Sequence, residues 1–205
     1  MKALIVIVIS YALGCISTAY YLFRISTGGD IRRRGSGNAG ARNIGRELGA
    51  LAFVVTFAID CAKGFLAVVL ADFFKLGEAS VMLAMIAVVA GHIWPAQLGL
   101  RGGKGVATGL GALAAFDAKV LIPSIVVFAI AAPVAKNFTL GGLLAIALTP
   151  IAAAVLHQSA VASAGILILA ALIVFAHRED LREIFTALPV RSGKTVEPQV
   201  ERRQQ

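Results

Sequence analysis

The chain has 205 residues, of which 59% are hydrophobic and only 15% are charged. Soluble globular domains carry about 25% charged residues, so this composition excludes an ordinary soluble enzyme and predicts one integral membrane domain. The formal net charge is +8. No basic stretch contains interleaved aromatic residues, which argues against a nucleic-acid partner and favours anionic lipid or phosphorylated substrates. The two cysteines lie in apolar runs and indicate neither a disulfide framework nor a metal site.

The apolar runs predict an all-α integral membrane protein with seven transmembrane helices. In chain order they cover residues 3–23, 48–74, 79–99, 105–116, 120–135, 140–156 and 160–176. Several of them approach the roughly 18 residues that a membrane-spanning helix needs. The fourth is short, so it is tilted or partly re-entrant. Residues 1–182 are predicted to form a single transmembrane domain, and residues 183–205 a cytoplasmic polar tail.

The orientation follows from the positions of the basic residues. Of the 19 Lys and Arg residues, fifteen lie in connections on one predicted side and three, Lys2, Lys75 and Lys119, on the other, while Lys63 lies within a span. Because cytoplasmic connections carry the excess of Lys and Arg, we expect the N-terminus outside and the C-terminus in the cytoplasm. All the polar, glycine-rich connections then lie on the cytoplasmic face.

The first such connection is "RRRGSGNAGARNIGRELG" at residues 32–49. Its glycines, Gly37 among them, permit tight turns whose amides can form an anion-binding nest. Ser36, Asn38 and Asn43 add neutral hydrogen-bonding groups, and Arg46 adds charge. The alternative is a basic loop that only sets topology and touches anionic lipid, and the arginines at 32–34 are expected to do only that.

The second connection, "GHIWPAQLGLRGGKGVATG" at residues 91–109, combines a glycine pair with a cation at the start of a helix. Helix N-termini offer free amides and a positive dipole end to phosphate. We therefore predict that Gly102, Gly103 and Lys104 contact a ligand. Gly105 and Gly109 form a GxxxG pattern, which is typical of close helix packing.

Three further groups of polar residues carry weaker signals. "HRED" at residues 177–180 is either a polar cap at a helix end or a site in which His177 acts as a base or a phosphate donor. Asp60 and Lys63 are three residues apart within a span, and that spacing favours a structural ion pair. His92 is expected to bond a neighbouring helix, and His157 to face the outside.

Three of these motifs together resemble the bacterial acyl-phosphate:glycerol-3-phosphate acyltransferase family. They are "GSGNAGARN" (35–43) with Arg46 downstream, "GHIWPAQLGLRGGKGVATG" (91–109) and "HRED" (177–180). The resemblance implies an enzyme of the bacterial cytoplasmic (inner) membrane that moves a fatty acyl group from acyl phosphate to glycerol 3-phosphate. Its products would be lysophosphatidic acid and phosphate, in the first acylation step of phospholipid synthesis, with no metal or other cofactor.

The resemblance also implies the site residues. The catalytic candidates are Arg46, Lys104 and His177. The candidates for binding substrate and phosphate are Ser36, Gly37, Asn38, Asn43, Gly102, Gly103 and Asp180. Because no Ser-His-Asp constellation is evident, we expect the glycerol hydroxyl to attack the acyl phosphate directly, without an acyl-enzyme.

The chain departs from the family pattern at two motif positions. Position 180 is Asp where the family usually has Asn, and Gly142 in "KNFTLGG" (136–142) stands where the family often has Ser. A carboxylate at 180 would repel glycerol 3-phosphate unless it stays protonated, pairs with a cation such as Arg178 or Arg182, or accepts hydrogen bonds from the substrate's hydroxyl groups.

Two other functions are compatible with parts of this pattern. Broken helices and glycine hinges also occur in transporters and flippases for anionic metabolites, but no inverted repeat is apparent and the polar groups cluster at one face. A non-catalytic packing protein would leave the polar residues of 36–46 and 102–104 without a role.

Overall fold

A computed structural model describes residues 1–156 and 158–187. His157 and the larger part of the predicted tail, residues 188–205, lie outside the described residues. Within the described ranges every regular element is helical. The α-helices are α1 (Lys2–Cys15), α2 (Thr18–Thr27), α3 (Ala41–Leu48), α4 (Ala50–Phe73), α5 (Glu78–Ile93), α6 (Val106–Phe116), α7 (Ala118–Val134), α8 (Phe138–Val155), α9 (Ala160–Ala176) and α10 (Arg178–Ala187). Single 3₁₀ turns occur at Ile31–Arg33 and Ala96–Leu98.

The predicted all-helical membrane architecture is confirmed, whereas the count of seven spans stays a prediction. Among the described residues, four helical segments are long and apolar enough to cross a membrane: Lys2–Thr27, Ala50–Phe73, Glu78–Leu98 and Phe138–Val155. A fifth qualifies if α9 and α10, which meet at a bend of 57°, count as one span. The helices α6 and α7 are apolar but shorter, and the predicted domain boundary at residue 182 falls inside α10.

The first apolar segment is broken between α1 and α2 rather than continuous. The break frees backbone carbonyls in a region where few polar partners exist, so they need internal hydrogen bonds. Lys63 of α4 supplies them, because its Nζ lies 3.2 Å from the Gly14 carbonyl oxygen and 2.8 Å from that of Ile16. A specific contact from α4 therefore stabilises the break between α1 and α2.

Glycines bring two pairs of helices into backbone contact. Gly14 and Gly91 join α1 to α5, and Gly64 and Gly111 join α4 to α6; a side chain at any of the four would collide with backbone atoms of the facing helix. Such small-residue contacts are the usual way in which membrane helices approach closely. Gly109 of the GxxxG pattern faces Ile173 of α9, so its predicted packing role is confirmed.

Two apolar clusters hold the polar connections in place. The larger one lies around α5, with α9 and parts of α1, α4, α6 and α8 packed against it. The smaller one contains Phe23, Ile31 and Ile44, and it packs α2 and α3 beneath the first polar connection. This second cluster fixes the glycine loop against the start of α4.

Candidate active site

Asn43 organises the first polar connection from inside. Its side chain is 1% exposed, and its amide nitrogen donates to the carbonyls of Ile31, Arg34 and Asn38 at 3.0–3.3 Å. Its amide oxygen accepts the backbone N–H of Ser36 at 3.0 Å. Because these contacts occupy the amide group, Asn43 shapes the loop that presents Ser36 and Asn38, which differs from the predicted direct contact with phosphate.

Arg32 connects the first polar connection to the second. Its guanidinium pairs with Asp30 at 2.8 Å, donates to the Leu98 carbonyl at 2.6 Å and lies over the ring of Tyr20. The hydrogen bond from Arg32 lowers the pKa of the Asp30 carboxyl. The prediction that this arginine only sets topology is wrong, because charge alone does not require such fixed partners.

The glycine pair of the second connection faces the end of α5. The Gly102 amide donates to the carbonyl of Ile93 and the Gly103 amide to that of His92, both at 3.0 Å. Both amides are therefore already used, and the pair serves to bring the chain close to His92, where a side chain would collide. The first turn of α6 lines the cavity instead, with amides that have no side-chain cap.

A cavity of about 550 Å³ collects most of the predicted site. Seven of the predicted residues line it: Ser36, Asn38, Asn43, Arg46, Lys104, His177 and Asp180. The three predicted glycines, Gly37, Gly102 and Gly103, do not line it. Gly37 instead takes a left-handed turn, with φ of 71°. The lining continues into side chains of α4, α6, α7, α8 and α9 that are mainly apolar, among them Phe57, Leu113 and Phe128.

Lys104 and Asp180 form an ion pair at the polar end of the cavity. The Nζ atom lies 2.5 and 2.6 Å from the two carboxylate oxygens, and the side chains are 22% and 27% exposed. The ion-pair partner of Asp180 is therefore Lys104 rather than Arg178 or Arg182. Because both groups are accessible from the cavity, an incoming anion can compete with the carboxylate for the ammonium.

His177 caps the end of α9 and lies beside the same cavity. Its side chain is buried, and Nδ1 lies 2.8 Å from the carbonyl oxygen of Ile173. A carbonyl only accepts hydrogen bonds, so Nδ1 carries a proton. In the neutral ring Nε2 then has a free lone pair, which suits a proton acceptor.

Residues of the "KNFTLGG" connection also line the cavity, and sequence reasoning did not assign them to the site. Thr139 Oγ accepts a hydrogen bond from Arg42 at 2.5 Å. Gly142 lines the cavity one turn later and has open space around it, since the nearest atom to an added side chain is on Phe128 at 4.0 Å. The sequence could have assigned these residues to the site, because their connection lies on the same predicted face as the other two.

Sequence comparison identifies the family. Residues 4–187 match the family model of glycerol-3-phosphate acyltransferase. The chain belongs to this family. Glycerol-3-phosphate acyltransferase 1 of Desulfitobacterium hafniense (strain Y51) is 43% identical over 184 residues, which cover 90% of this chain and 91% of that one. Glycerol-3-phosphate acyltransferase of Clostridioides difficile (strain 630) is 37% identical, with 95% of this chain and 97% of the relative covered.

Two solved structures share the architecture of this acyltransferase. The crystal structure of PlsY, an integral membrane glycerol 3-phosphate acyltransferase, in its glycerol 3-phosphate form has a TM-score of 0.86 and 30% identity, and 91% of this chain and 93% of that chain are covered. The lysophosphatidic acid form has a TM-score of 0.81, 28% identity and the same coverage. The protein is a membrane acyltransferase of phospholipid synthesis, which confirms that interpretation over the transporter and the packing protein.

Proposed function

We propose that this acyltransferase takes its acyl group from acyl phosphate and transfers it to glycerol 3-phosphate in the cavity described above. The observation that carries the proposal is the lining of that cavity. Its polar part combines three cationic side chains, Arg42, Arg46 and Lys104, with the first turn of α6, and the rest of its lining is mainly apolar. The polar end suits two phosphate groups and the apolar end suits a fatty acyl chain, as both substrates and the lysophospholipid product require.

The chemistry then needs positioning and charge stabilisation. The glycerol hydroxyl attacks the acyl carbonyl carbon, a new ester C–O bond forms, and the bond from that carbon to the phosphate oxygen breaks. Inorganic phosphate leaves with the electron pair, so donors placed around it lower the barrier. The hydroxyl proton passes to Nε2 of His177 or to the leaving phosphate, and no acyl-enzyme forms.

Lys104 and Arg46 are the groups that we assign to the substrate phosphates. Lys104 is held by a single carboxylate, and Arg46 is exposed at the cavity with no ion-pair partner among the described residues. A phosphate dianion offers more charge than Asp180, so it can replace that carboxylate at the Lys104 ammonium. Ser36 and Asn38, which the loop around Asn43 presents at the cavity, add neutral hydrogen-bonding groups.

We further propose that the chain crosses the bacterial inner membrane seven times with its active face in the cytoplasm. Four connections contribute to one polar cavity end, near residues 36–46, 104–107, 137–142 and 177–183. Each pair of apolar helices between them, namely α4 with α5, α6 with α7 and α8 with α9, therefore leaves and returns to the same face. Together with the bent first segment this makes seven crossings, with α6 the shortest.

Thiol labelling tests the orientation. In a background without Cys15 and Cys61, Ser36→Cys should resist a membrane-impermeant thiol reagent in intact cells, and Gly77→Cys should react, because residue 77 is exposed on the opposite connection. Both cysteines should react after lysis. Labelling of Ser36→Cys in intact cells with protection of Gly77→Cys contradicts the orientation.

A donor assay tests the reaction. Purified protein in detergent is incubated with labelled glycerol 3-phosphate and either acyl phosphate or an acyl thioester of the same chain length. We expect labelled lysophospholipid and equimolar phosphate only with acyl phosphate. Product from the thioester alone would contradict the proposed donor.

A further inference from the structure

A buried charged cluster lies beside the active-site cavity at the depth of the apolar helices. It consists of Asp60 and Lys63 of α4 and His92 of α5, and each residue is at most 4% exposed. Lys63 Nζ lies 2.9 Å from Asp60 Oδ1 and 2.7 Å from Nδ1 of the His92 ring. Charges at this depth are costly unless they are paired or functional.

The hydrogen bonds of Lys63 determine the tautomer of His92. An ammonium group only donates, so Nδ1 of His92 must accept, and the single proton of the neutral ring is on Nε2. Asp60 and Lys63 cancel each other's charge, which leaves the cluster neutral as a whole. The predicted structural pair is thus confirmed, but it has a third member whose orientation it sets.

The one side-chain hydrogen bond of His92 to a described residue is at Nδ1. Its Nε2 atom is not among the fully enclosed polar atoms without a partner, which belong to Ser17, Thr56 and Thr108. It lies against Gly103, whose lack of a side chain leaves room for the ring tip, and His92 lines the same cavity as Lys104 and Arg46. Nε2–H is therefore a donor that a ligand in the cavity can reach. Packing of the helices does not use it, because Lys63 contacts α5 through Nδ1 of the ring and α1 through the carbonyls of Gly14 and Ile16.

We propose that His92 is a further substrate-binding residue, whose Nε2–H donates to a phosphate oxygen of a substrate beside Lys104. Asp60 and Lys63 are positioning residues that hold the ring in the donating tautomer. The inference rests on the proposed function, since it requires phosphate in this cavity. It also gives the glycine pair a role, because Gly102 and Gly103 allow the loop to approach the ring and leave the donor uncovered.

Two variants of His92 distinguish a role in substrate binding from a purely structural role in helix packing. In His92→Asn the amide is as many bonds from Cβ as Nδ1 is, so it keeps an acceptor for Lys63 and lacks the donor at the cavity. In His92→Gln the amide is as many bonds from Cβ as Nε2 is, so it keeps a donor at the cavity and lacks the acceptor for Lys63. Each variant therefore keeps one of the two contacts of His92, to Lys63 or to a ligand in the cavity, and loses the other.

Steady-state kinetics with each substrate varied in turn, together with thermal melting in detergent, tests the proposal. We expect His92→Asn to raise the KM of one phosphate substrate about tenfold with near-normal melting, and His92→Gln to lower the melting temperature with a KM closer to that of the wild type. The substrate whose KM rises, acyl phosphate or glycerol 3-phosphate, is the one that His92 contacts.

Two results would overturn the inference without touching the proposed function. One is an active wild-type protein for which His92→Asn leaves both KM values unchanged. The other is a loss of melting temperature that is equal in both variants, with no KM effect that distinguishes them, since this is what a purely structural histidine gives. A wild-type protein that fails to transfer acyl groups from acyl phosphate would instead overturn the proposed function itself.

Discussion

Two lysines of this protein each pair with an aspartate, yet their surroundings give them different roles. Lys63 is 4% exposed and contacts Asp60, His92 and two backbone carbonyls. Lys104 is 22% exposed and contacts one carboxylate, that of Asp180. A lysine whose three donors are all used inside the protein holds helices together, whereas one with a single exchangeable partner can bind a substrate anion.

The strongest test of this contrast removes the buried lysine. Lys63→Ala leaves Asp60 without its counter-charge and frees the carbonyls at the break between α1 and α2, so the variant should lose about 3–5 kcal/mol of stability. Thermal melting in detergent measures the loss. The double variant Asp60→Asn with Lys63→Met should recover part of it, because no unpaired charge remains. A Lys63→Ala protein that melts like the wild type would refute the assignment.

Removal of the exchangeable lysine should affect activity instead. A charged hydrogen bond to phosphate contributes about 1.5–3 kcal/mol, so Lys104→Ala should lower kcat/KM roughly 10- to 100-fold with little change in melting. Arg101→Ala is the matched control. It removes a cation from the same connection, but the Arg101 side chain is exposed and does not line the cavity. Equal losses for both variants would mean that general charge, and not a specific contact, explains the effect.

The partner of Lys104 offers a smaller and opposite change. Asp180→Asn should lower the KM of the substrate whose phosphate binds Lys104 by a few-fold, because the anion no longer competes with a carboxylate. Stability should fall by at most about 1 kcal/mol, the range for accessible ion pairs. Kinetics with both substrates varied, beside a thermal melt, gives the answer. An increase in KM would show that Asp180 itself contacts the substrate.

The smallest expected effects concern two glycines that line the cavity, Gly142 and Gly109. Gly142→Ser places a hydroxyl where the structure has open space. The free energy of unfolding should therefore change by about 0.5 kcal/mol or less, and the KM of a phosphate substrate should fall because the hydroxyl adds a donor at the cavity.

Gly109→Ala brings a methyl group against Ile173 and should lower the melting temperature while both KM values stay unchanged. The reverse pattern would exchange the roles of the two glycines.

The sequence predicted those features that depend on composition and on motif chemistry. The apolar runs located the helical segments, because a membrane-spanning helix requires a long apolar stretch. Motif positions such as Ser36, Lys104 and His177 fell at one cavity, because they lie in connections on one predicted face. The resemblance to the acyltransferase family is confirmed by relatives that cover nearly the whole chain.

Other features depend on where side chains and backbone amides point, and the sequence does not show this. Nothing in "GSGNAGARN" distinguishes Asn38 from Asn43, although both line the cavity and only the amide group of Asn43 is occupied by hydrogen bonds within the loop. The amides of Gly102 and Gly103 were expected at the ligand, but they point to α5 because Arg32 and the end of α5 fix the path of the loop. His92 was expected to bond a neighbouring helix, and that describes only one of its two ring nitrogens.

The claim that Lys104 exchanges Asp180 for substrate phosphate is tested most directly by an experimental structure of this protein with glycerol 3-phosphate bound. We expect Nζ of Lys104 within about 3 Å of a phosphate oxygen, with the Asp180 carboxylate moved away from its 2.5 Å contact with that nitrogen. A phosphate bound elsewhere, with Lys104 and Asp180 still paired, would contradict the account.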